Sequence, residues 1–432
     1  MKAIISSLIK FLKERKEEII TCSIFLIFAF GFNIYRVEGD GSTYYRFLEG
    51  LLRIPDPESG YLKGFIQSGS AFFNAPFYIL TYLIEHALRL KFNINGITLR
   101  TISINIASNF YMLCSILLSV KILKMLKLKK IIIPVLAVLF STSAFAVSVV
   151  MASYNHAVDI FLATLFIYVF LALETNGQKP AKAVYLGLIY VIALLVRYFN
   201  FVYIIPLVMY YLVVKDYKKL KFFIIGVASI GWIIPLIFYL YNGGPLNCLD
   251  APSEGMALLA GMTPWFPKYS LKCLVHPLHG LFVWSPVLIL SMLGLFVFPK
   301  NKQKVGYLFL SIWALFVIVY GFSPVWYAGW SFSNRYFSSL FPIYVIGLSV
   351  LLEKYGKKVL FLIIICTFYS VFLFFNWYLC VIDGGWGTPL DMFRFWAKGE
   401  SDVFAGGRLN FAAFWNRIYE ACRYKYLIKL IK

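Results

Sequence analysis

Charged residues are scarce in this sequence: they make up 14% of its 432 residues, whereas apolar residues make up 61%. Soluble domains carry about 25% charged and about 45–50% apolar residues. A chain with so little charge cannot cover its own surface in water, which excludes a soluble globular protein. The apolar residues lie in runs of about 20, the length of an α-helix that crosses a bilayer. We therefore predict an all-α integral membrane protein surrounded by membrane lipids.

Several motifs of soluble enzymes are also missing. The sequence has no phosphate-binding P-loop and no GxSxG nucleophile motif, so ATP-driven chemistry and serine hydrolysis have no visible basis. Its seven cysteines include no CxxC pair, and its four histidines form no zinc motif. Neither a zinc site nor a nucleotide-hydrolysis site is predicted.

Acidic residues are few as well, with 20 Asp and Glu against 41 Lys and Arg, which gives a formal net charge of +21. Such an excess can indicate a nucleic-acid partner. Here the bases lie in short runs between apolar segments, which is typical of cytoplasmic loops under the positive-inside rule. We predict no nucleic-acid binding. We also predict a cytoplasmic N-terminus, because five bases precede the first apolar run: Lys2, Lys10, Lys13, Arg15 and Lys16.

The later basic runs set the predicted topology. Placing residues 121–130, 179–182, 215–221, 300–304 and 354–358 in the cytoplasm makes the spans cross out and back between neighbouring runs. This predicts about eleven transmembrane helices, within a range of ten to thirteen, and a C-terminus outside. The predicted spans are residues 19–37, 99–121, 131–150, 155–173, 183–198, 200–214, 222–241, 282–299, 305–321, 335–353 and 359–379.

The segment 72–90 decides this count. If it crosses the membrane, the lysines at 121–130 lie outside and every later span is inverted. Its titratable residues Glu85, His86 and Arg89 suit an interface better than lipid. We therefore interpret 72–90 as a re-entrant or interfacial segment.

The prediction divides the chain into a polytopic membrane domain, residues 1–379, and a C-terminal interfacial tail, residues 380–432. The end of the tail alternates aromatic and basic residues, which is typical of an amphipathic helix lying on a membrane. Two longer segments lie on the outer side in this topology: a first outer loop at 38–98, containing interfacial helices, and a second at 242–281. Long irregular loops are usually functional when they are ordered.

An acidic motif, Glu38-Gly39-Asp40, directly follows the first predicted span. Two carboxylates two residues apart can converge on a divalent cation such as Mg²⁺ or Mn²⁺. A carboxylate at an apolar boundary can also act as a general base. The alternative is a glycine-rich turn with solvated acids.

Two arginines lie at or within apolar stretches. Arg335 follows a turn of small and aromatic residues at a span boundary and has no acid within ten residues, so it is expected to be unpaired. Its guanidinium could hold a phosphate by a bidentate contact, or it could anchor the helix at the interface beside Trp326 and Trp330. Arg197 lies deeper in an apolar stretch, which favours a functional site over a snorkelling helix end.

Histidines and acids on the predicted outer side are further candidates. His156 and Asp159 are three residues apart on one helix face, where they could form a proton relay, half of a metal site or a hydrogen bond that fixes helix packing. His276 and His279 are also three apart, which by itself is a poor metal signature. Asp383 lies in a glycine-rich outer turn.

Four stretches together resemble the C-type glycosyltransferase superfamily, whose polytopic members include protein O-mannosyltransferases and aminoarabinose lipid A transferases. Glu38-Gly39-Asp40 stands where that family places an acidic motif, in the first outer loop. The other stretches are residues 187–197, 280–286 and 329–335. Ser333 stands where the family pattern has glycine. The resemblance covers about residues 19–350.

The resemblance implies an inverting glycosyltransferase with a polyprenyl-phosphate or polyprenyl-diphosphate sugar donor and a lipid, glycan or protein acceptor. It implies a reaction on the outer face of a prokaryotic plasma membrane. It leaves open whether the reaction needs Mg²⁺ or Mn²⁺ as a cofactor. Under this interpretation Asp40 is the catalytic base, Arg335 and Arg197 bind the donor phosphate, and Glu38 is a metal ligand or second acid. Further donor or acceptor contacts would be Tyr44, Tyr45, His156, His276, His279 and Asp383.

Two other classes stay open at this point. A transporter or flippase of lipid-linked saccharides would also need bases and aromatic residues in the membrane, but it would line a path through the bilayer midplane with polar groups. A membrane-anchoring subunit without chemistry would not bring Asp40 and Arg335 together. The polar residues concentrate on the predicted outer side, which favours the enzyme.

Overall fold

The structure, a computed structural model, describes most of the chain between residues 14 and 391. The described residues are 14–37, 39–54, 69–90, 92–94, 96–175, 177–236, 266–329, 331–379, 382 and 387–391. Glu38, Asp383, most of the predicted second outer loop and most of the predicted C-terminal tail lie outside them.

The architecture is a bundle of α-helices, and the described residues contain a single sheet, the two-stranded hairpin β1–β2. The elements are α1 (Lys16–Phe32), α2 (Asp40–Leu52), α3 (Gly69–Leu88), β1 (Asn93–Ile94), β2 (Ile97–Thr98), α4 (Leu99–Met125), α5 (Ile132–Ser141), α6 (Ser143–Phe145) with a π-helical turn (Ala146–Val150), α7 (His156–Thr175), α8 (Ala183–Val196), α9 (Ile204–Val213), α10 (Tyr217–Gly231), α11 (Ser270–Val275), α12 (Leu281–Trp284), α13 (Val287–Phe296), α14 (Gln303–Gly321), α15 (Phe341–Tyr355) and α16 (Lys357–Tyr378). Short 3₁₀ segments precede α8, α9, α14 and α15.

Six of the described helices are long and apolar enough to cross a membrane. They are Leu99–Met125, His156–Thr175, Tyr217–Leu236, Lys300–Gly321, Arg335–Tyr355 and Lys357–Tyr378. A seventh candidate combines α5 with Ser143–Val150, two helices that meet at an angle of 75°. The chain is therefore an all-α multi-pass membrane protein, as predicted, although these lengths alone do not reach eleven spans. The segment 72–90 lies largely in α3, which is not among the six.

Two pairs of helices approach closely at glycines. A Cβ on Gly294 of α13 would overlap the carbonyl oxygen of Gly347 in α15. A Cβ on Gly187 of α8 would overlap the carbonyl oxygen of Phe223 in α10, and Gly226 faces it from the other side. Small residues allow this close backbone packing, which is a main source of attraction between helices in lipid.

The centre and the periphery of the bundle differ in burial. Helix α15 is buried almost throughout, whereas α16 carries exposed apolar side chains such as Phe361, Ile364 and Phe368. Exposed apolar side chains along a long apolar helix suit contact with lipid rather than water.

The lysine-bearing helix ends contact one another on one side of the bundle. Lys124 near the end of α4 binds Glu18 in α1 at 2.9 Å, and Lys219 in α10 binds Glu174 at the end of α7 at 2.9 Å. The backbone N–H of Lys129 donates to Glu353 near the end of α15, whereas Arg335 precedes the start of that helix, so the ion pair of Arg335 and Asp40 lies at the other end of α15 from these lysines.

Candidate functional site

Asp40 and Arg335 form an ion pair that joins two distant parts of the sequence. Nη2 of Arg335 donates a hydrogen bond to Oδ2 of Asp40 at 2.7 Å. Asp40 is the first residue of α2, and Arg335 begins the 3₁₀ segment that leads into α15. The Arg335 side chain is 8% exposed and the Asp40 side chain 25% exposed, so the acid is the more open partner. The expectation that Arg335 is unpaired is wrong, because its partner Asp40 comes from a segment 295 residues earlier in the chain.

The backbone around Asp40 packs tightly against the turn that precedes α7. Gly39 has a φ of +54°, which side chains rarely adopt, and a Cβ there would overlap the Tyr154 hydroxyl. A Cβ on Gly41 would overlap the Ser153 hydroxyl and lie 3.0 Å from the Ser153 backbone carbon. The glycines on either side of Asp40 therefore allow the N-terminus of α2 to approach this turn.

Tyr154 contacts both members of the ion pair. The guanidinium carbon of Arg335 lies 4.8 Å from the centre of the Tyr154 ring, which is a cation–π contact. The Tyr154 hydroxyl lies beside Gly39 at the start of α2. Burial raises the pKa of Tyr154, although Arg335 opposes the shift, so the hydroxyl stays protonated at neutral pH. Sequence reasoning missed this role, because an aromatic residue gives no signal for a charge partner far along the chain.

A short turn precedes the arginine and fixes its direction. Gly329 and Ser333 both lie in the left-handed region, with φ of +61° and +56°. Asn334 then stabilises the turn: its Nδ2 donates to the carbonyl of Trp326 at 2.9 Å, and its Oδ1 accepts from the backbone N–H of Tyr336 at 3.3 Å. The left-handed backbone at position 333 explains why glycine would suit it, and here serine adopts the same conformation.

His276 and His279 support this turn. Nδ1 of His279 donates to the carbonyl of Tyr327, and the His276 ring meets the Trp326 ring edge-on at 4.9 Å. Burial lowers the pKa of His276 and nearby Lys272 lowers it further, so its ring is neutral at neutral pH. Within the described residues no three metal-ligating side chains come together. The geometry thus gives both histidines a structural contact with the turn.

Two stretches of the family resemblance pack against each other. The hydroxyls of Ser285 and Ser333 lie 3.1 Å apart, and the rings of Trp284 and Phe332 meet edge-on at 5.5 Å. The third stretch ends at Arg197, whose Nη1 donates to the carbonyl oxygen of Tyr336, the residue after Arg335. These sequence-distant stretches therefore surround one region of the molecule.

Two hydrogen-bond donors of Arg335 have no acceptor among the residues that the structure describes. Its Nε and Nη1 atoms are buried and have no acceptor at hydrogen-bonding geometry among the described residues. A buried donor without a partner is costly, and a guanidinium can bind a planar or tetrahedral anion through two parallel bonds. The arrangement suits binding of an additional anion beside Asp40.

Arg197 has a different environment. Its Nη1 donates to Oδ2 of Asp159 at 3.1 Å and to the carbonyl of Tyr336 at 3.3 Å, and its Nη2 donates to the hydroxyl of Tyr320 at 3.0 Å. Asn200 completes the network, since its Nδ2 donates to Oδ1 of Asp159 at 2.7 Å. Both charged side chains are almost fully buried, at 4% and 0% exposed.

The buried network does not favour Arg197 as a ligand for the donor phosphate. Both terminal nitrogens already have acceptors within the protein, and the side chain has little exposed surface. The sequence signal for this arrangement is Asp159, for which the local spacing suggests His156 as the partner, whereas the structure pairs it with Arg197. His156 binds the hydroxyl of Ser338 at 3.2 Å, so the two residues share a helix face but have different partners.

Two of the remaining candidates pack within the protein, and two lie outside the residues that the structure describes. Tyr45 is buried with its ring 5.7 Å from that of Tyr78, and Tyr44 is partly buried in the second turn of α2. Glu38 and Asp383 lie outside the described residues, so the structure does not place their side chains.

A second polar cluster behind α2 was missed by sequence reasoning. Tyr78 donates to Oε1 of Glu49 at 2.9 Å, Nε of Arg100 donates to Oε2 of Glu85 at 2.6 Å, and Nη1 of Arg100 donates to Tyr78 at 3.5 Å. All four side chains are buried, and they link α2, α3 and α4. The sequence feature that could have revealed this cluster is the presence of charged residues within apolar segments.

Comparison with known proteins leaves the family open. Neither a protein-family model nor a curated protein matches the sequence. The argument for function therefore depends on the geometry of the site.

Proposed function

We propose that this protein is a membrane glycosyltransferase that moves a sugar from a polyprenyl-phosphate or polyprenyl-diphosphate carrier to an acceptor on the extracytoplasmic face. The contact between Asp40 and Arg335 is the observation that carries the proposal. It joins a carboxylate that can serve as a base and a cation that can hold a phosphate. An anchoring subunit without chemistry would have no need for this juxtaposition.

The donor phosphate would bind to Arg335. The guanidinium is held over the Tyr154 ring and has two buried donors without acceptors among the described residues. A phosphate that binds by two parallel bonds would use Nη2 together with Nε or Nη1, and the phosphate is the leaving group of the transfer. Arg197, which the sequence also favoured for this role, would instead hold the backbone beside Arg335 in place.

The acceptor would be activated by Asp40. Its carboxylate would take the proton of the acceptor hydroxyl while the oxygen attacks the anomeric carbon, and the bond from that carbon to the phosphate breaks. Attack opposite the leaving phosphate inverts the configuration. Glu38, outside the described residues, would be a second acid or a ligand for Mg²⁺ or Mn²⁺ beside Asp40.

The proposal includes the finer topology. The eleven spans would be α1, α4, the bent unit α5–α6, α7, α8, α9, α10, α13, α14, α15 and α16. The N-terminus and the lysine-rich side would face the cytoplasm of a prokaryote, and the ion pair would lie at the outer face of the plasma membrane. A reporter fused after Lys130 should read cytoplasmic and one fused near residue 264 external; a cytoplasmic signal at the second position would contradict the topology.

The alternative is a transporter or flippase of lipid-linked saccharides. It would need polar groups along a path through the bilayer midplane. The two Arg–Asp pairs of the described region lie instead at helix ends, since Asp40 begins α2 and Asp159 lies in the first turn of α7. This placement supports a site at one face.

The deciding experiment measures cleavage of the donor. Purified protein in detergent is given a panel of radiolabelled farnesyl-phosphate sugars with a membrane extract as the acceptor source. We expect transfer of label and release of farnesyl phosphate from at least one donor. Movement of an intact fluorescent lipid-linked saccharide across proteoliposomes, without cleavage of any donor in the panel, would support the transporter and reject the enzyme.

A further inference from the structure

The Asp40–Arg335 contact presents a conflict between two tasks. Oδ2 of Asp40 accepts the hydrogen bond of Nη2 of Arg335 at 2.7 Å. Each pair of parallel bonds that a guanidinium can offer includes Nη2, so a donor phosphate held in this way would compete with Asp40 for that nitrogen. While the pair is closed, the carboxylate is held toward the guanidinium.

The two members of the pair differ in freedom. Arg335 is enclosed, with its guanidinium against the Tyr154 ring and its side chain 8% exposed. Asp40 is 25% exposed at the first residue of a helix, so its side chain can rotate while its backbone stays packed against the turn at Ser153. Separation of the pair therefore moves the carboxylate outward and leaves the guanidinium where it is.

A phosphate is a better partner for Arg335 than Asp40 is. The carboxylate engages one nitrogen, Nη2, while Nε and Nη1 are buried without an acceptor in the described part of the chain. A phosphate monoester or diphosphate has several acceptor oxygens and more negative charge, so it can engage the guanidinium through two parallel bonds. The gain in binding free energy is largest for buried N–H groups, because they have already lost their contact with water.

We propose that the phosphate of the donor replaces Asp40 on Arg335, so that the carboxylate turns from the guanidinium to the acceptor when a donor is bound. This inference rests on the proposed function and adds an order to it: the donor binds before the acceptor can be activated. The released carboxylate then takes the proton from the acceptor O–H. The electron pair of the broken carbon–oxygen bond passes to the phosphate, which Arg335 holds.

The exchange can be tested without knowing the sugar. The probe is farnesyl phosphate, which has the lipid and the phosphate, and the control is farnesol, which lacks the phosphate. Full-length protein in detergent is treated with a water-soluble carbodiimide and an amine, and the labelling of Asp40 is measured by mass spectrometry. We expect farnesyl phosphate to raise this labelling by at least about threefold, because a ligand that favours the open pair shifts its population. Farnesol should leave it unchanged.

A binding measurement provides a second test of the exchange. Asp40→Asn keeps the shape of the side chain and removes the competing charge, so farnesyl phosphate should bind up to about tenfold more tightly if the closed pair holds about nine molecules in ten. The same variant should have lost transfer. Tighter binding by a variant that cannot catalyse is the expected signature of competition for Arg335.

The outcomes separate this inference from the proposed function. If wild-type protein binds farnesyl phosphate no better than farnesol, the lipid-phosphate donor itself is wrong. If farnesyl phosphate binds through Arg335 but the labelling of Asp40 stays constant or falls, the phosphate binds beside an intact pair, and the exchange is rejected while the proposed function stands.

Discussion

The two Arg–Asp pairs of the described part of the chain differ in what they leave unsatisfied. The pair of Asp159 and Arg197 is closed: both terminal nitrogens of the arginine have acceptors, and the acid accepts a further bond from Asn200. The pair of Asp40 and Arg335 has one hydrogen bond, a partly exposed acid and two buried donors without acceptors in the described chain. A pair whose hydrogen-bonding groups all have partners suits a structural role, whereas a pair with unsatisfied donors suits the binding of a ligand.

The energetics of the two pairs should differ accordingly. Breaking a fully buried ion pair leaves a charge without compensation and typically costs about 3–5 kcal/mol. An ion pair that is partly open to solvent contributes much less to stability, because water screens the charges. The first pair should therefore matter for the folded state and the second for chemistry.

Asp40→Asn is the change with the largest expected effect on the reaction. It keeps the shape of the side chain but removes the base, so the transfer rate should fall by about 10²–10⁴-fold. The measurement is transfer from a farnesyl-phosphate sugar by purified protein. Asp216→Asn on the lysine-rich side is the matched control and should retain wild-type activity. A rate within a few-fold of wild type for Asp40→Asn would remove the base assignment.

Asp159→Asn should have the largest effect on stability. It leaves Arg197 buried without its counter-charge, so the free energy of unfolding should fall by about 3–5 kcal/mol. Thermal unfolding in detergent provides the comparison, with Asp40→Asn expected to stay within about 1 kcal/mol of wild type. Equal losses for the two variants would mean that the contrast between the pairs is not real. Asp159→Leu combined with Arg197→Met should recover part of the loss.

Arg335→Lys should have an intermediate effect. Lysine keeps the positive charge but loses the planar fork, and one charge-assisted hydrogen bond is worth about 1.5–3 kcal/mol, so the apparent affinity for the donor should fall by about 10–100-fold. The measurement is the dependence of the transfer rate on donor concentration, with Arg335→Ala expected to be weaker still. If Arg335→Lys leaves the donor dependence and the transfer rate unchanged, Arg335 only anchors its helix among lipid headgroups.

Tyr154→Phe should have the smallest effect. The ring that carries the cation–π contact with Arg335 remains, and only the hydroxyl is lost, so the transfer rate should change by a few-fold at most. Tyr154→Leu removes the ring and should cost about 0.5–2 kcal/mol in donor binding. The difference between the two variants, measured from donor concentration curves, isolates the ring. An equal loss in both would assign the role of Tyr154 to its hydroxyl.

The sequence was informative about composition, helices and the type of residue at the site. The scarcity of charge and the lengths of the apolar runs are sufficient for an all-α membrane protein, because these properties do not depend on tertiary contacts. Asp40 and Arg335 were both recognisable as unusual residues at span boundaries. Their contact was not predictable, since it depends on how α2 packs against the end of α15.

Arg197 shows what the sequence alone does not supply. An arginine in an apolar stretch indicates function by default, but its meaning depends on whether a partner is present. Here the partner is Asp159 in a neighbouring helix, which the local spacing had paired with His156. The span count was uncertain for a similar reason: short apolar helices such as α8, α9 and α13 depend on their neighbours for their depth in the membrane.

The π-helical turn Ala146–Val150 has a consequence for the register of the site. Its hydrogen bond from Met151 N–H to the Ala146 carbonyl, at 2.8 Å, encloses one residue more than an α-turn does, and the hydroxyl of Ser108 satisfies the carbonyl of Ser148 at 3.1 Å. The helix ends at this turn, since Met151 leaves the helical conformation, and residues 151–155 then bring the Tyr154 ring to Arg335 and the Ser153 hydroxyl to Gly41 before α7 begins. The position of the acid therefore depends on where this helix stops.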